Sequence, residues 1–257
     1  MNVQDHYTRQ ALIVWGIFFL LNILLNGTIP FVLGADLHAW KASLPHAILF
    51  GFVQYAIMFT VVPLILIKGW RTVRQPAFLS PLCIAVAAIT FSLVYRGVMA
   101  IAVLVLAYLH WRFDLSEYGI RSRGWKGDLA AILMVGFLYA ASSLVRLTSP
   151  SFDLARASMA GLDRLFANPA SSVENLFYFG FVAERLSHAT GRWLTPFLIG
   201  GMYAAHEMSN PEYWYGGMNF FLVFVGATLY TFIYLWRRGV TAIWLGDGLG
   251  RFLGKLL

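Results

Sequence analysis

Three ionisable side chains interrupt the apolar runs of the C-terminal half: Glu174, His206 and Asp247. Charged groups inside apolar spans are costly in lipid, so each is a functional candidate by default. A carboxylate in a low-dielectric cavity can hold or take a proton near neutrality. Glu174 in that setting could activate water for attack on a peptide carbonyl. His206 beside it could orient the water or stabilise the developing oxyanion. Asp247 could pair with the imidazole and set its tautomer. The same three residue types ligate zinc, so a zinc site built from them stays open. So does a structural polar cluster that ties helices together.

Other local patterns are weaker. His206-Glu207-Met208-Ser209-Asn210 approaches the helical zinc-protease pattern His-Glu-x-x-His, but Asn210 replaces the second ligand and Pro211 ends the helix. His188 sits beside a basic loop and is expected to be solvated. The chain has no Gly-x-Ser-x-Gly elbow and no phosphate-binding glycine loop. Tyr213, Trp214 and Tyr215 fit an interfacial aromatic belt.

The elements that must position these residues are hydrophobic helices. A spanning helix needs about 20 apolar residues. Residues 11–33 qualify, interrupted by Asn22, Asn26 and Pro30, and residues 46–67 form a second run. A third, 79–108, is too short for two full crossings and too long for one upright helix, so it is expected to tilt, break or re-enter. Arg96 near its middle should face a partner or water. A polar stretch from Trp111 to Lys126 comes next, and Asp128 is placed to cap a helix over 129–145. Residues 152–168 are amphipathic, with Arg156, Asp163 and Arg164, and read either as a surface helix or as a loop. Four further apolar segments cover 171–186, 193–206, 215–236 and 240–257. The fold class expected is therefore all-α, a polytopic transmembrane helix bundle of about eight membrane helices.

Depth can be compared along these helices. Glu174 lies 13 residues before Ser187, and His206 lies 13 residues after Trp193. In an antiparallel pair both side chains reach about 20 Å along the axis from the same end. Asp247 lies nine residues past Arg238 and about 6 Å shallower. One shared polar site is compatible with these depths. Orientation derives from Lys and Arg: Arg185 and Arg192, then Arg237 and Arg238, mark cytoplasmic loops. The intervening residues 207–217 carry no basic side chain and belong outside.

Composition agrees. Of 257 residues, 59% are hydrophobic and 12% charged, about half the charged share of an ordinary soluble domain. A soluble fold of this length could not hide so much apolar surface. The net charge of +7 is scattered over the loops, which excludes a nucleic-acid-binding face. The single cysteine, Cys83, rules out an intrachain disulfide and is expected to be a packing residue. The first residues are polar and lack the basic start and cleavage site of a signal peptide, so the first apolar segment is expected to remain as a helix.

Glu174-Asn175-Leu176-Phe177-Tyr178-Phe179-Gly180, Met202-Tyr203-Ala204-Ala205-His206 and Asp247-Gly248-Leu249-Gly250-Arg251 follow one another on successive helices, and by their order and spacing residues 111–254 resemble the CPBP family, the Abi or CAAX-protease-like intramembrane proteases. Leu115-Ser116-Glu117-Tyr118-Gly119-Ile120-Arg121 and Trp125-Lys126-Gly127-Asp128-Leu129 are similar to the segment leading into that core. The family pattern Glu-Glu-x-x-x-Arg-Gly is matched by Glu174-Asn175-Leu176-Phe177-Tyr178-Phe179-Gly180, and Phe-x-x-x-His by Met202-Tyr203-Ala204-Ala205-His206. A final His-x-x-x-Asn pattern aligns with Asp247-Gly248-Leu249-Gly250-Arg251, after Gly239-Val240-Thr241-Ala242-Ile243-Trp244. Asn175 and Phe179 stand where the second Glu and the Arg belong, four apart on one helix face. Asp247 and Arg251 stand where His and Asn belong, and their spacing allows an ion pair.

The resemblance implies an intramembrane endopeptidase in which Glu174 activates water with His206 in support, and Asp247 is the candidate at the third catalytic position, where the family's His belongs. Asn175, Tyr178, Phe179 and Arg251 are then candidates for contacts with a bound segment. No cofactor is expected unless zinc occupies the acid and imidazole ligands. Residues 1–110 form N-terminal transmembrane helices and 111–257 the family-like core. The partners expected are the lipid bilayer and a peptide or membrane-protein substrate. The location expected is the plasma membrane of a bacterium. Two alternatives stand beside this reading. One is a catalytically silent relative that binds a peptide or membrane protein. The other is a transporter or channel using the polar cluster as a relay, for which no symmetric halves or paired half-helices are visible.

Overall fold

The computed structural model describes residues 3–29, 36–92, 95–145, 154–162, 165, 173–208 and 217–256. Among them the fold is helical, with no strand. Helix α1, Val3–Asn22, runs on into a π-helical turn over Ile23–Thr28. A short α2, Leu37–Ala42, is capped by Asp36, whose side chain accepts from the His38 amide. Helix α3, Leu44–Lys68, opens under a Ser43 cap and carries a π-helical stretch over Gly51–Val61. A single turn, α4 (Trp70–Val73), leads to α5 (Pro76–Phe91) and α6 (Arg96–Trp111).

The long third apolar run therefore breaks. Its two helices have 16 residues each, about 24 Å apiece, and they pack on each other and on α3. Arg96 opens α6. Its Nη1 donates to the Ala47 carbonyl at 2.9 Å, and its guanidinium lies 5.7 Å from the Phe50 ring and 5.9 Å from the Tyr55 ring. The costly cation is thus paired with a carbonyl dipole and aromatic faces. Cys83 is exposed on α5 rather than packed in the core, because α5 turns that side away from the other helices.

A 3₁₀ turn, Leu115–Tyr118, then precedes α7, Trp125–Val145. This helix starts four residues earlier than its apolar run. Asp128 therefore lies within the first turn rather than at the cap, and it binds the Ser122 hydroxyl and the Arg237 guanidinium, the latter at 2.9 Å. Burial pushes its carboxyl up, but these two partners outweigh burial and hold it below its ordinary value. The described part of the amphipathic segment is a helix, α8 (Leu154–Leu162), seated on the last helix. Asp163 and Arg164 lie outside the described residues, as do Asn210, Pro211, Tyr213, Trp214 and Tyr215.

The next two apolar segments are joined at Gly191, whose φ of 74° and ψ of 171° interrupt the helix Ala183–Glu207. Only glycine adopts that backbone at little cost. We call the helical residues 173–190, including a π-helical turn over Leu176–Val182, α9, and residues 192–207 α10. Helices α11 (Gly217–Arg237) and α12 (Val240–Leu256) complete the chain. α10 packs between α1 and α11, and α12 packs along α7. Gly246 and Gly250 allow that last approach, since a Cβ at either would strike Val135 or Tyr139.

Three helices, over Gln10–Thr28, Leu44–Lys68 and Phe220–Arg237, are long and apolar enough to cross a membrane. Other helices also turn apolar side chains outward. Ile84, Phe91, Leu106, Phe137 and Trp193 each expose more than 60% of their surface, a pattern that suits lipid and not water. One end of the bundle gathers charge. Glu184 binds Arg121 at 2.7 Å, and Arg238 and the Tyr234 hydroxyl at 2.8 Å. Arg185 binds Glu117 at 2.5 Å and stacks on Phe181. His188 is exposed beside Glu184.

Candidate functional site

Glu174 and His206 come from different helices, α9 and α10, which the break at Gly191 returns against each other. Glu174 Oε1 lies 3.5 Å from His206 Nε2. Both residues are buried, at 9% and 4% exposure. In such a setting the acid and the imidazole feel each other strongly, because little water screens them.

Residues of the N-terminal half close the site from the other side. The Tyr55 hydroxyl donates to Glu174 Oε1 at 2.9 Å. Its ring is wedged between Phe50 and Phe59 at 5.4 and 5.2 Å. Asn22 Nδ2 donates to the Tyr178 hydroxyl at 3.3 Å, Gln54 Nε2 to Asn22 Oδ1 at 2.7 Å, and Asn26 Nδ2 to the His206 carbonyl at 3.1 Å. Rings of Phe50, Phe59, Tyr178 and Tyr203 surround the imidazole at 5.4 to 6.0 Å. The site is a polar knot inside an aromatic box.

Three π-helical segments contribute to it. Asn26 lies on the first, Gln54 and Tyr55 on the second, and Tyr178 on the third, with Glu174 just before it. A π turn adds a residue to the helical repeat and re-aims the side chains beyond it, and such turns concentrate at functional sites. Gly180 anchors the third. A Cβ there would run into the Tyr118 carbonyl oxygen, so the 3₁₀ turn can press directly against α9.

The other sequence candidates divide. Tyr178 joins the site through Asn22 and through its ring, tilted against the His206 imidazole at 5.4 Å. Asn175 is buried, and its Nδ2 has no hydrogen-bond partner. Phe179 is also buried and packs on Tyr203 and Tyr230 at 5.6 and 5.9 Å. Asp247 is buried on α12, the helix that packs on α7 and α8. Arg251 is exposed and donates from Nη1 to the Tyr139 hydroxyl of α7 at 3.0 Å. Among the described residues, one group of three could hold a metal ion: Glu174, His206 and Glu207, whose ligand atoms lie within 4.8 Å of one another. Asp247, the third ligand of the zinc site left open from sequence, is not a member of that group.

Tyr55, Gln54 and Glu207 were not singled out as site residues by sequence reasoning. Asn22 and Asn26 carried a signal: two amides four apart in an apolar run share a helix face. Tyr55 carried none, because a tyrosine in an apolar helix is ordinary packing material. No family model, curated protein or solved structure matches the chain.

Proposed function

We propose that the protein is an intramembrane endopeptidase of the CPBP, or CAAX-protease-like, type, embedded in a bacterial plasma membrane and hydrolysing a peptide or membrane-protein segment. The observation that carries this reading is the 3.5 Å approach of Glu174 and His206 within a largely buried site. It is supported by the order of the short motifs along the chain and by the apolar exterior.

The chemistry uses only water and side chains. Glu174, ionised, takes a proton from a water molecule as the water oxygen attacks the peptide carbonyl carbon. The carbonyl electrons move to oxygen, and the His206 imidazole, donating an N–H, stabilises that oxyanion. Collapse of the tetrahedral intermediate breaks the C–N bond. The proton held by Glu174 passes to the leaving nitrogen, which departs as an amine. Tyr55 holds Oε1 of the carboxylate throughout, and Oε2 is the oxygen that takes the proton. Asp247 plays no direct part in this scheme.

The test is cleavage of a library of membrane-derived peptides by the full chain in proteoliposomes. Glu174→Gln keeps the shape of the side chain and removes its basicity, so turnover should fall at least ~100-fold with the melting temperature retained. Undiminished cleavage by a folded Glu174→Gln protein rules the mechanism out.

A second reading draws on a specific observation. The family-like positions Asn175, Phe179 and Arg251 carry no acid–base partner for the pair, and Arg251 is engaged with Tyr139. A silent relative would bind such peptides without cutting them. Crosslinked, uncleaved peptide with the wild-type chain would favour it, and recovery of cut product from purified protein would reject it.

A further inference from the structure

We propose that Trp40, His46 and Arg96 bind the phosphate of an anionic phospholipid whose acyl chains lie along α6. This site goes beyond the peptidase reading and stands without it.

An unneutralised cation is the first argument. Arg96 is buried, at 8% exposure, and a guanidinium keeps its charge in any protein environment. The Ala47 carbonyl and the Phe50 and Tyr55 rings offer it only partial charges. No carboxylate among the described residues pairs with it. Residues 30–35 and 93–94, which precede α2 and α6, contain no acid either. A charge inside an apolar helix calls for a counter-charge or a functional reason.

Orphaned polar atoms are the second. Arg96 Nε, His46 Nε2 and Trp40 Nε1 are all buried without a hydrogen-bond partner. They belong to one cluster. The Trp40 and His46 rings lie 5.3 Å apart and the His46 and Phe50 rings 5.5 Å apart, and Phe50 in turn carries the Arg96 guanidinium at 5.7 Å. The His46 ring hydrogen-bonds to the Lys41 backbone and feels the charges of Lys41 and Arg96. Buried polar groups are rarely left unpaired, because each has given up a bond to water. Indole and guanidinium N–H groups donate and accept nothing, so the ligand is an acceptor, and the charge makes it an anion. His46 Nε2 offers a lone pair to a protonated phosphate oxygen, or an N–H once the ring is protonated. Helices α3 and α6 both begin here, and their amide dipoles favour negative charge.

Depth is the third. Lys68 Nζ donates to the Trp111 carbonyl, so α3 and α6 are level at that end. Helix α3 has 25 residues and α6 has 16. The start of α6 is therefore recessed ~13 Å from the start of α3, and Arg96 reaches back up to Ala47. Tyr95, just before it, is 65% exposed, so the cluster lies one side chain beneath the outer surface. A rotamer change of Arg96 presents its donors there. From this point the exposed side chains of Val98, Met99, Val105 and Leu106 continue along α6. Anion-seeking donors at the head of an apolar track fit a phosphate joined to acyl chains, whereas free phosphate has no use for the track. A choline headgroup would set a second cation beside Arg96, so phosphatidylglycerol is preferred to phosphatidylcholine.

The experiment uses the full chain in neutral detergent, with retained lipid counted by native mass spectrometry. One phosphatidylglycerol per chain should be held, at least ~10-fold more tightly than phosphatidylcholine. Arg96→Gln should weaken retention at least ~10-fold, and Arg96→Lys should recover part of it. Trp40→Phe keeps a ring, removes the N–H and should weaken retention about threefold. Arg192→Gln, exposed at the opposite end of α10 from His206, should change nothing. Phosphatidylglycerol should raise the melting temperature of the wild-type chain and not that of Arg96→Gln, which separates a lost ligand from a lost fold. Trp40→Phe carries the test if Arg96→Gln does not fold. Equal retention of the two lipids, or undiminished retention by a folded Arg96→Gln, overturns the site. Inorganic phosphate that displaces phosphatidylglycerol at equal concentration overturns the lipid assignment.

Discussion

At the scale of single residues, the proposed chemistry turns on one acid, one imidazole and one phenol. Tyr55 is the contact that decides how Glu174 presents itself, because its hydroxyl donates to Oε1 at 2.9 Å from a ring locked between two others. A hydrogen bond to a charged group contributes about 1.5–3 kcal/mol. Tyr55→Phe removes that bond and keeps the packing. Turnover should fall about 10- to 100-fold with KM little changed, and the melting temperature should stay within a few degrees. A large loss of thermal stability with unchanged turnover would make Tyr55 structural only. Part of this site was legible in the sequence. Depth counting placed Glu174 and His206 at the same level, since both are counted from basic ends of an antiparallel pair. The same count put Asp247 shallower, and depth alone gave no indication of the direction its side chain takes. Glu207 was read only as part of an incomplete zinc-protease pattern and not placed beside Glu174, because adjacent helical residues point to different sides.

At the scale of elements, the site depends on irregular helix. Three π-helical stretches bring Asn26, Tyr55 and Tyr178 together. None was visible in the sequence, because hydrophobic periodicity does not distinguish a π turn from an α turn over so few residues. Gly180 is where this irregularity meets its neighbour. Gly180→Ala sets a methyl against the Tyr118 carbonyl, a backbone atom that cannot rotate away. It should destabilise the protein by about 1–3 kcal/mol. Gly201→Ala is the matched control: its added methyl would meet Phe19 at 3.9 Å, an ordinary contact. In a helix interior that change should be neutral or stabilise by up to about 1 kcal/mol. Thermal melting in detergent compares the two. Equal effects would show that the Tyr118 contact does not shape α9. The length of the third apolar run left tilting, breaking and re-entry open, and the structure shows the break; the partner of Arg96, a carbonyl on α3, was not readable.

At the scale of the whole molecule, the bundle separates charge from chemistry. Glu184, Arg121, Arg238, Arg185, Glu117, Arg237 and Asp128 interlock at one end. Glu174 and His206 lie further along the same helices. The tendency of basic loops to stay inside predicts a cytoplasmic interlocked end and an external loop before α11. In a Cys83→Ser background, a membrane-impermeant maleimide should label Arg192→Cys only after the inner face is opened, and Ser209→Cys in intact cells. The reverse pattern would invert the topology and place the site at the opposite membrane face. Composition alone made the membrane character legible, because 59% hydrophobic residues with 12% charged leave few alternatives. The number of crossings was harder to read, since two 16-residue apolar helices fall short of the usual spanning length.

The central claim is that Glu174 makes water itself the nucleophile. Cleavage in water enriched in oxygen-18, read by mass spectrometry after a single turnover, tests it most directly. One heavy oxygen should enter the new carboxyl terminus of the product, at a rate that collapses in Glu174→Gln while the peptide still binds. Product formed by a folded Glu174→Gln protein at the wild-type rate, with the same label, would contradict the account.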